Sequence, residues 1–455
     1  MTKKLLIISY HFPPDLAVGA IRPAKFAKYL PEFNWQPIVL TVYDKYFGNV
    51  DNQNNQCSIN VTIHNTYKIP GLRDVYLSFK RLYLSIRKNK DTKQIFQQWT
   101  PIENTLQEPG IERLKRYINS LLIWLPDDKA GWILPAVISG LKTISKHDVN
   151  AIFTTSPPNS VHLIGFLLKI ISKKPWIADF RDPWGCETKP FFVRSKFSDF
   201  IENWMEKQIV SKSDYLVSVT PEMTEMLHAR HPQATYNKFA TIRNGYDSEE
   251  MKQFAGIEKH NRFTFTYAGS FYLGRDPEIF LKTLRELISS NKINKDQIHV
   301  KFIGNCKYLY GKSIERMVYE LDMGDVVTFV DQISRYEAMT EMAKSHVLLL
   351  LAPDQPLQIP GKLYEYIGLN ASILAVCGPG ATANILNKYP KAVVVPPDDI
   401  ETMKKGILQL FLNSRDQKLN TADDVTDSNF DRRELTEKLV AILENLAPFG
   451  RTFRF

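Results

Sequence analysis

The feature that most constrains this chain is a repeated alternation of short, β-rich apolar runs with helical segments, joined by loops that carry glycine. Leu5 to Ser9 is such a run, and Tyr10 to Gly19 is the loop after it. Ala20 to Leu30 then places Ile21, Phe26, Ala27, Tyr29 and Leu30 on one helical face, and Pro37 to Val42 is the next run. Strand, glycine loop, helix and strand form a βαβ unit, the opening of a doubly wound sheet that binds ligands at the carboxyl ends of its strands. The alternation breaks at about Tyr67 to Lys146 and returns with strands at Ala151 to Thr155, Trp176 to Phe180, Tyr215 to Val219 and Ala240 to Ile242. At Asn261 it starts afresh: Phe263 to Gly269, His299 to Gly304, Val326 to Val330, Val347 to Leu351, Ile373 to Val376 and Ala392 to Pro396 read as strands with helices between them. Two Rossmann-like halves are predicted, followed by a helix from Asp431 to Leu446.

A chain of 455 residues with 44% hydrophobic and 24% charged residues can bury more than one core, which excludes a disordered class. The formal net charge of +9 favours an anionic partner without choosing among nucleic acid, anionic lipid and a phosphorylated substrate. Cys57, Cys186, Cys306 and Cys377 stand far apart with no metal-ligand spacing, so they read as reduced residues of a cytosolic protein. Lys3 and Lys4 before Leu5 to Ser9 resemble the start of a signal peptide, yet the apolar run is too short and Pro13-Pro14 follows, so a buried first strand is expected. No stretch reaches the roughly 18 apolar residues of a membrane span, and a cytoplasmic protein is expected.

One stretch carries the chemistry. Ile359-Pro360-Gly361-Lys362-Leu363-Tyr364-Glu365-Tyr366 lies between two predicted strands and reads as a loop opening into a short helix. The N–H groups and positive dipole end of such a helix suit a phosphate, Lys362 adds a full charge, and Glu365, one turn on, can accept from a pair of sugar hydroxyls. The alternative is an ordinary turn and helix, with Lys362 solvated and Leu363, Tyr366 and Ile367 as its buried stripe. Arg181 and Asp182 fall at a strand's carboxyl end, where they either contact substrate or pin the loop as a pair. Gly19 allows an anion to approach the backbone, and Asn244-Gly245-Tyr246-Asp247 reads as a turn. Between Tyr67 and Lys146, basic residues such as Arg73, Lys80 and Arg87 alternate with Tyr76, Phe79 and Tyr83; this suits an anionic membrane surface or a solvated helical insertion. An RNA-recognition motif is absent.

Taken in order, Gly19 and Arg22, the segment Asp179 to Trp184, Asn244 to Asp247, Tyr267-Ala268-Gly269-Ser270, and Pro360 to Tyr366 resemble retaining glycosyltransferases of family four over nearly the whole chain. The resemblance implies an α/β protein of GT-B fold. Its two Rossmann-like domains would face a cleft, and a C-terminal helix would cross back to the first of them. It places an acceptor domain at residues 1–245 with the basic insertion at about 67–146, a nucleotide-sugar donor domain at 246–430, and the returning helix and tail at 431–455. It implies that Glu365 holds the donor ribose and that Pro360, Gly361 and Lys362 meet the diphosphate. Gly269 and Ser270 would line the donor, Arg275 would neutralise the leaving diphosphate, and Gly19 would face that diphosphate. Arg275, Lys362 and Asp182 are the implied catalytic set, with Arg22, Arg181 and Asp182 toward the acceptor. No metal and no cofactor is implied beyond the nucleotide sugar as substrate, in keeping with the absence of an Asp-x-Asp motif.

Two positions depart from the family pattern. Leu357 stands where a second glutamate often precedes Glu365, and Ser270 where an arginine often follows the donor-loop glycine. The leading expectation is a sugar transferase acting on a glycan or lipid-linked acceptor in surface polysaccharide synthesis, at the inner face of the plasma membrane. A nucleotide-sugar epimerase of the same fold and a non-catalytic nucleotide-sugar-binding scaffold are the alternatives. His11, Asp15 and Asp182 form no recognisable acid/base set in the sequence, and nucleic acid is not an expected partner.

Overall fold

The structure is a computed structural model that describes residues 2–48, 61–71, 125–184, 196–272, 274–415 and 428–446. The chain divides into two compact units: Met1–Val219 with Met223–Ile242 and Thr436–Phe455, and Thr220–Glu222 with Arg243–Leu435.

The first unit holds strands β1 (Lys3–Ile8), β2 (Trp35–Val42), β3 (Thr62–Thr66), β4 (Ala151–Ser156), β5 (Trp176–Phe180), β6 (Tyr215–Ser218) and β7 (Phe239–Thr241). They form a seven-stranded sheet in the order β3-β2-β1-β4-β5-β6-β7, parallel throughout. Parallel neighbours need crossovers, and α1 (Ile21–Tyr29), α2 (Ile133–His147), α3 (Ser160–Ser172), α4 (Lys196–Lys212) and α5 (Pro221–Arg230) supply them. Covering both faces explains why β4 and β5 are buried at every residue, the polar Thr155 and Asp179 included, which bond each other inside.

Part of the predicted insertion is corrected. Residues 133–147 form the regular crossover helix α2, with Ala136, Val137 and Ile144 buried in the unit's core. Trp132, just before it, donates from Nε1 to Thr66 Oγ1 at 2.6 Å, tying the helix entry to the edge strand β3. The aromatic and basic run from Arg73 to Lys93 and the segment 114–124 lie outside the described residues.

The second unit repeats the plan with β8 (Phe263–Ala268), β9 (Ile298–Ile303), β10 (Val327–Val330), β11 (Val347–Ala352), β12 (Ser372–Cys377) and β13 (Ala392–Val395). Their order is β10-β9-β8-β11-β12-β13, again all parallel. Its helices are α6 (Glu278–Ser289), α7 (Ile314–Glu320), α8 (Arg335–Lys344), α9 (Gly361–Gly368), α10 (Ala381–Leu386) and α11 (Ile400–Arg415). Helix α8 starts on a capping box, in which Ser334 and Glu337 satisfy each other's backbone N–H groups. In both sheets the strand order reverses beside the first strand, between β1 and β4 and between β8 and β11, and those are the places where such sheets hold ligands.

The last helix, α12 (Arg432–Leu446), buries Leu435, Leu439 and Leu443 and returns to the first unit. There Glu444 accepts from Trp35 Nε1 at 2.8 Å and from the Lys3 ammonium. The expected turn at Asn244 to Asp247 is not one. Tyr246 is extended and bridges Asp431, its N–H donating to the Phe430 carbonyl at 3.0 Å and its carbonyl accepting from the Arg432 N–H at 2.9 Å. Gly245 is required because a Cβ there would strike the Phe430 carbonyl. Asp247 then caps the helical turn Ser248–Met251. Among the described residues no helix is long and apolar enough to cross a membrane.

A buried ion pair locks the first unit. Arg22 donates from Nε and Nη2 to Asp179 at 2.9 and 2.8 Å, Thr155 Oγ1 donates to the same carboxylate at 2.7 Å, and Arg22 Nη2 also reaches the Ile242 carbonyl at 2.9 Å. Removing one partner strands a charge in the interior, so Asp179→Ala is expected to cost about 3–5 kcal/mol. Every tryptophan of the sequence falls within the first unit, so intrinsic fluorescence during urea unfolding follows that unit; a wild-type midpoint would refute the assignment.

Candidate functional site

At the switch point of the second unit, the loops after β8 and β11 meet. Gly269 closes β8 with φ of +143°, a backbone region that suits glycine, and a Cβ there would land on the Lys362 ammonium. Gly304, after β9, packs so closely on the Gly269 carbonyl that it too cannot carry a side chain. Cys306 Sγ donates to that same carbonyl at 3.3 Å. The floor of the site is therefore backbone with no side chains in the way.

Lys362 is the central cation. It is the second residue of α9, whose N-cap is Pro360 and whose first turn no side chain caps. Its Nζ lies 4.3 Å from the centre of the Tyr267 ring, is buried, and has no hydrogen-bond partner among the described residues. Burial, reinforced by the nearby positive charge of Arg275, pulls its pKa down to about 8. Arg275 stacks 4.3 Å over Tyr272 and also keeps a buried Nε without a partner. Tyr267 donates its hydroxyl to the Ser270 carbonyl at 2.9 Å, which shapes the loop between the two cations. Burial pushes the Cys306 thiol up to about 12, so it stays neutral beside Lys362.

Glu365, one turn along α9, is partly exposed. It accepts through Oε1 from Arg335 Nη2 at 3.0 Å, and Arg335 also reaches Glu250 at 3.4 Å. Arg335, on α8, was not singled out in the sequence, where it is one more basic residue at a helix start; only the packing of α8 beside α9 gives it a role in fixing Glu365. Leu363, Tyr366 and Ile367 form the buried stripe of α9, as the ordinary-helix reading expects, but Lys362 is not solvated as that reading supposed: its ammonium is buried. The Leu357 carbonyl accepts from Thr220 Oγ1 at 2.6 Å.

In the first unit the loops at the carboxyl ends of β1, β4 and β5 meet. Arg181, just past β5, donates to the carbonyls of Gly19 at 2.7 Å and Pro157 at 3.2 Å, and also to that of Ser156. It therefore pins the loops through its carbonyl partners, and burial draws its pKa down to about 10. Asp182 is partly exposed next to it and supports its charge. Arg22, expected toward the acceptor, is instead the buried strut to Asp179, with 1% of its surface exposed. One pair was missed: His11 Nδ1 and Asp15 Oδ2 are 2.6 Å apart, with Asp15 Oδ1 accepting from the Ala17 N–H at 3.0 Å. The signal available was the i, i+4 spacing, which a glycine-bearing loop gave no reason to credit.

The structure groups Gly269, Ser270, Arg275, Pro360, Gly361, Lys362 and Glu365 in one unit, and Gly19, Arg22, Arg181 and Asp182 in the other. The first group forms a site around a buried ammonium; in the second, Arg22 and Arg181 hold the scaffold.

The fold is GT-B. No protein-family profile and no curated protein matches the sequence. Solved structures do match over their full length. Sucrose-phosphate synthase (tll1590) from Thermosynechococcus elongatus is 14% identical with a TM-score of 0.61, covering 98% of this chain and 99% of its own. Anabaena Alr3699/HepE in complex with UDP-glucose is 11% identical with a TM-score of 0.59, covering 97% and 100%. WaaG, a glycosyltransferase involved in lipopolysaccharide biosynthesis, is 13% identical with a TM-score of 0.54, covering 98% and 100%.

Lys362 is cationic below its lowered pKa and loses its charge as pH rises through about 8. Affinity for inorganic pyrophosphate, an anionic probe measured by calorimetry, is therefore expected to fall as pH rises through that value, and Lys362→Met is expected to bind about tenfold or more weakly with that limb flattened. An unchanged pH profile in the variant would remove Lys362 from the anion site.

Proposed function

We propose that the protein is a retaining glycosyltransferase that moves a sugar from a nucleotide-diphosphate donor to a glycan or lipid-linked acceptor. The observation that carries the reading is the buried, unpartnered Lys362 ammonium beside Arg275 at the β8/β11 switch point. Burying a cation without a counter-ion is costly, and such a group is matched by an anion that brings its own charge into the site. UDP-glucose in the Anabaena protein of the same fold supports a nucleotide sugar as that anion.

In the reaction, the bond between the anomeric carbon and the diphosphate oxygen breaks, and its electron pair stays on the diphosphate. The acceptor hydroxyl oxygen forms the new bond on the same face and passes its proton to the departing diphosphate oxygen. Negative charge grows on the leaving group, and Lys362, Arg275 and the open N–H groups at the start of α9 are already in place to stabilise it. Glu365, steered by Arg335, accepts from the donor's ribose hydroxyls. Leu357 offers the transferred sugar an apolar contact where a carboxylate would otherwise take a hydroxyl. The side-chain cations supply the charge that a metal would, which makes the proposed reaction metal-independent. Synthesis of surface polysaccharide, on the cytoplasmic side, is the process such an acceptor suits.

A panel of nucleotide sugars tests the reading directly. One member is expected to raise the melting temperature and to be hydrolysed slowly to nucleoside diphosphate and free sugar, with retained anomeric configuration by proton NMR and with activity preserved in EDTA. Recovery of an epimerised nucleotide sugar would select the epimerase alternative. Binding of a donor without turnover under any acceptor would select the scaffold. Arg275→Ala is expected to lower kcat about a hundredfold with a smaller change in donor KM, because its contribution grows with leaving-group charge; wild-type kcat would exclude that role.

A further inference from the structure

The loop after β1 holds a polar pair that the reaction described above does not use. His11 Nδ1 stands 2.6 Å from Asp15 Oδ2, and the other oxygen of that carboxylate, Oδ1, accepts from the Ala17 N–H at 3.0 Å. Asp15 is buried, so the acid is fixed from behind, while 26% of the His11 side chain stays exposed. The rest of His11 is held as firmly. Its carbonyl accepts from Ser9 Oγ at 2.7 Å, its ring meets that of Tyr10 edge to face with centres 5.2 Å apart, and a Cβ at Gly19 would come within 3.3 Å of its Cδ2. A carboxylate accepts, so in the neutral ring Nδ1 carries the proton and Nε2 keeps its lone pair. Nε2 has no hydrogen-bond partner among the described residues. An imidazole oriented in this way on a strand-end loop is built to accept a hydrogen bond from a ligand.

The cations around this ring are already engaged. Arg181, whose Nη2 lies 3.4 Å from where a Gly19 Cβ would stand, directs its N–H groups to the carbonyls of Ser156, Gly19 and Pro157. Arg22 is closed onto Asp179, and Lys129, 5.3 Å from the centre of the Tyr10 ring, pairs with Asp128 at 2.9 Å. Ionised phosphate oxygens only accept, so they suit a free cation and repel the Nε2 lone pair, whereas a hydroxyl donates to it and brings no charge. Leu16 and Val18 of the same loop are exposed, and they offer apolar contact to the C–H face of a sugar ring. We propose that His11 positions the acceptor of the transfer through Nε2, and that the acceptor presents an unphosphorylated sugar hydroxyl there. This assignment rests on the transferase reading and adds the acceptor's chemistry to it. An oriented His–Asp pair is also the form of a general base. Here the reacting hydroxyl hands its proton to the leaving diphosphate, so His11 holds a neighbouring hydroxyl.

The imidazole nitrogens of the full-length protein, labelled with nitrogen-15 histidine, are followed by NMR, and His11 is identified by the loss of its signals in His11→Gln. Nε2 is expected to be the unprotonated nitrogen. Methyl glucoside and methyl galactoside are expected to shift it in saturable titrations, and the corresponding hexose 6-phosphates to bind about tenfold or more weakly. Asp15→Asn keeps its amide oxygen toward Ala17 and turns its N–H to Nδ1, so it is expected to move the ring proton to Nε2 and to remove the discrimination against the 6-phosphates. Where Asp15→Asn unfolds, the wild-type tautomer and the titrations carry the test. These shifts need no turnover. With the donor from the nucleotide-sugar panel, His11→Ala is expected to raise the glycoside KM about tenfold or more, and His11→Gln, whose Oε1 accepts a hydrogen bond but takes no proton, to restore it. A protonated Nε2 in the wild type, no shift with either glycoside, or stronger binding of the 6-phosphates overturns the proposal. Loss of kcat in His11→Gln at unchanged glycoside KM also overturns it and assigns His11 to proton transfer. Glycoside shifts in a protein that neither binds nor turns over any nucleotide sugar support the sugar site and count against the transferase reading alone.

Discussion

A parallel strand cannot return beside its neighbour without a crossover, and that constraint organises everything else in this protein. Each crossover must pass over the sheet, so the central strands are covered on both faces, and the loops that leave the strands' carboxyl ends are the segments free to carry polar chemistry. Where the winding reverses, two adjacent strands send their loops to opposite sides and leave a gap between them. In the second unit the loops flanking that gap bring Gly269 and Lys362 together, although 92 residues separate them in the chain.

What distinguishes the gap is the state of its cations. Lys362 and Arg275 are held by packing, against Tyr267 and Tyr272, rather than by carboxylates, so their charge is not already neutralised. Burial penalises the charged ammonium of Lys362, and the neighbouring Arg275 adds to that cost, so its pKa is lowered. That stored electrostatic cost is released by an anion, and most strongly by one whose charge increases as a bond breaks. Glu365 is treated differently: it is tied to Arg335, which orients its carboxylate. One short helix thus carries an unpaired ammonium at its start and, one turn on, a carboxylate already held by an arginine.

The first unit shows the same fold put to a different use. Its strand-end arginines are turned inward, Arg181 onto carbonyls and Arg22 onto Asp179, so they stiffen loops instead of meeting a ligand. On its helix α4, Glu202 and Glu206 are buried while Phe197, Phe200 and Trp204 are exposed, the reverse of what a water-facing helix requires. One architecture therefore presents a charged, desolvated gap in one unit and an amphipathic surface in the other.

Much of this was legible in the chain itself. The period of the apolar runs determines strands and helices because buried parallel strands must be apolar on both faces, and the positions of β1, β4, β5, β8, β9, β11 and β12 follow from it. The start of α9 at Pro360-Gly361 is likewise a local matter, since proline and glycine restrict the backbone whatever surrounds them. The polar edge strand β3, with one neighbour and no alternation, gave no such signal, and α2 was hidden by the basic residues around it. Tertiary structure alone decided which charges are paired. Arg22, Arg181, Arg275 and Arg335 are alike as letters, yet the first is a buried strut, the second a loop pin, the third an open cation and the fourth a guide for Glu365. A guanidinium's role is set by what stands within hydrogen-bond reach of it, and that distance is a property of the folded chain, because residues far apart in sequence supply the partners.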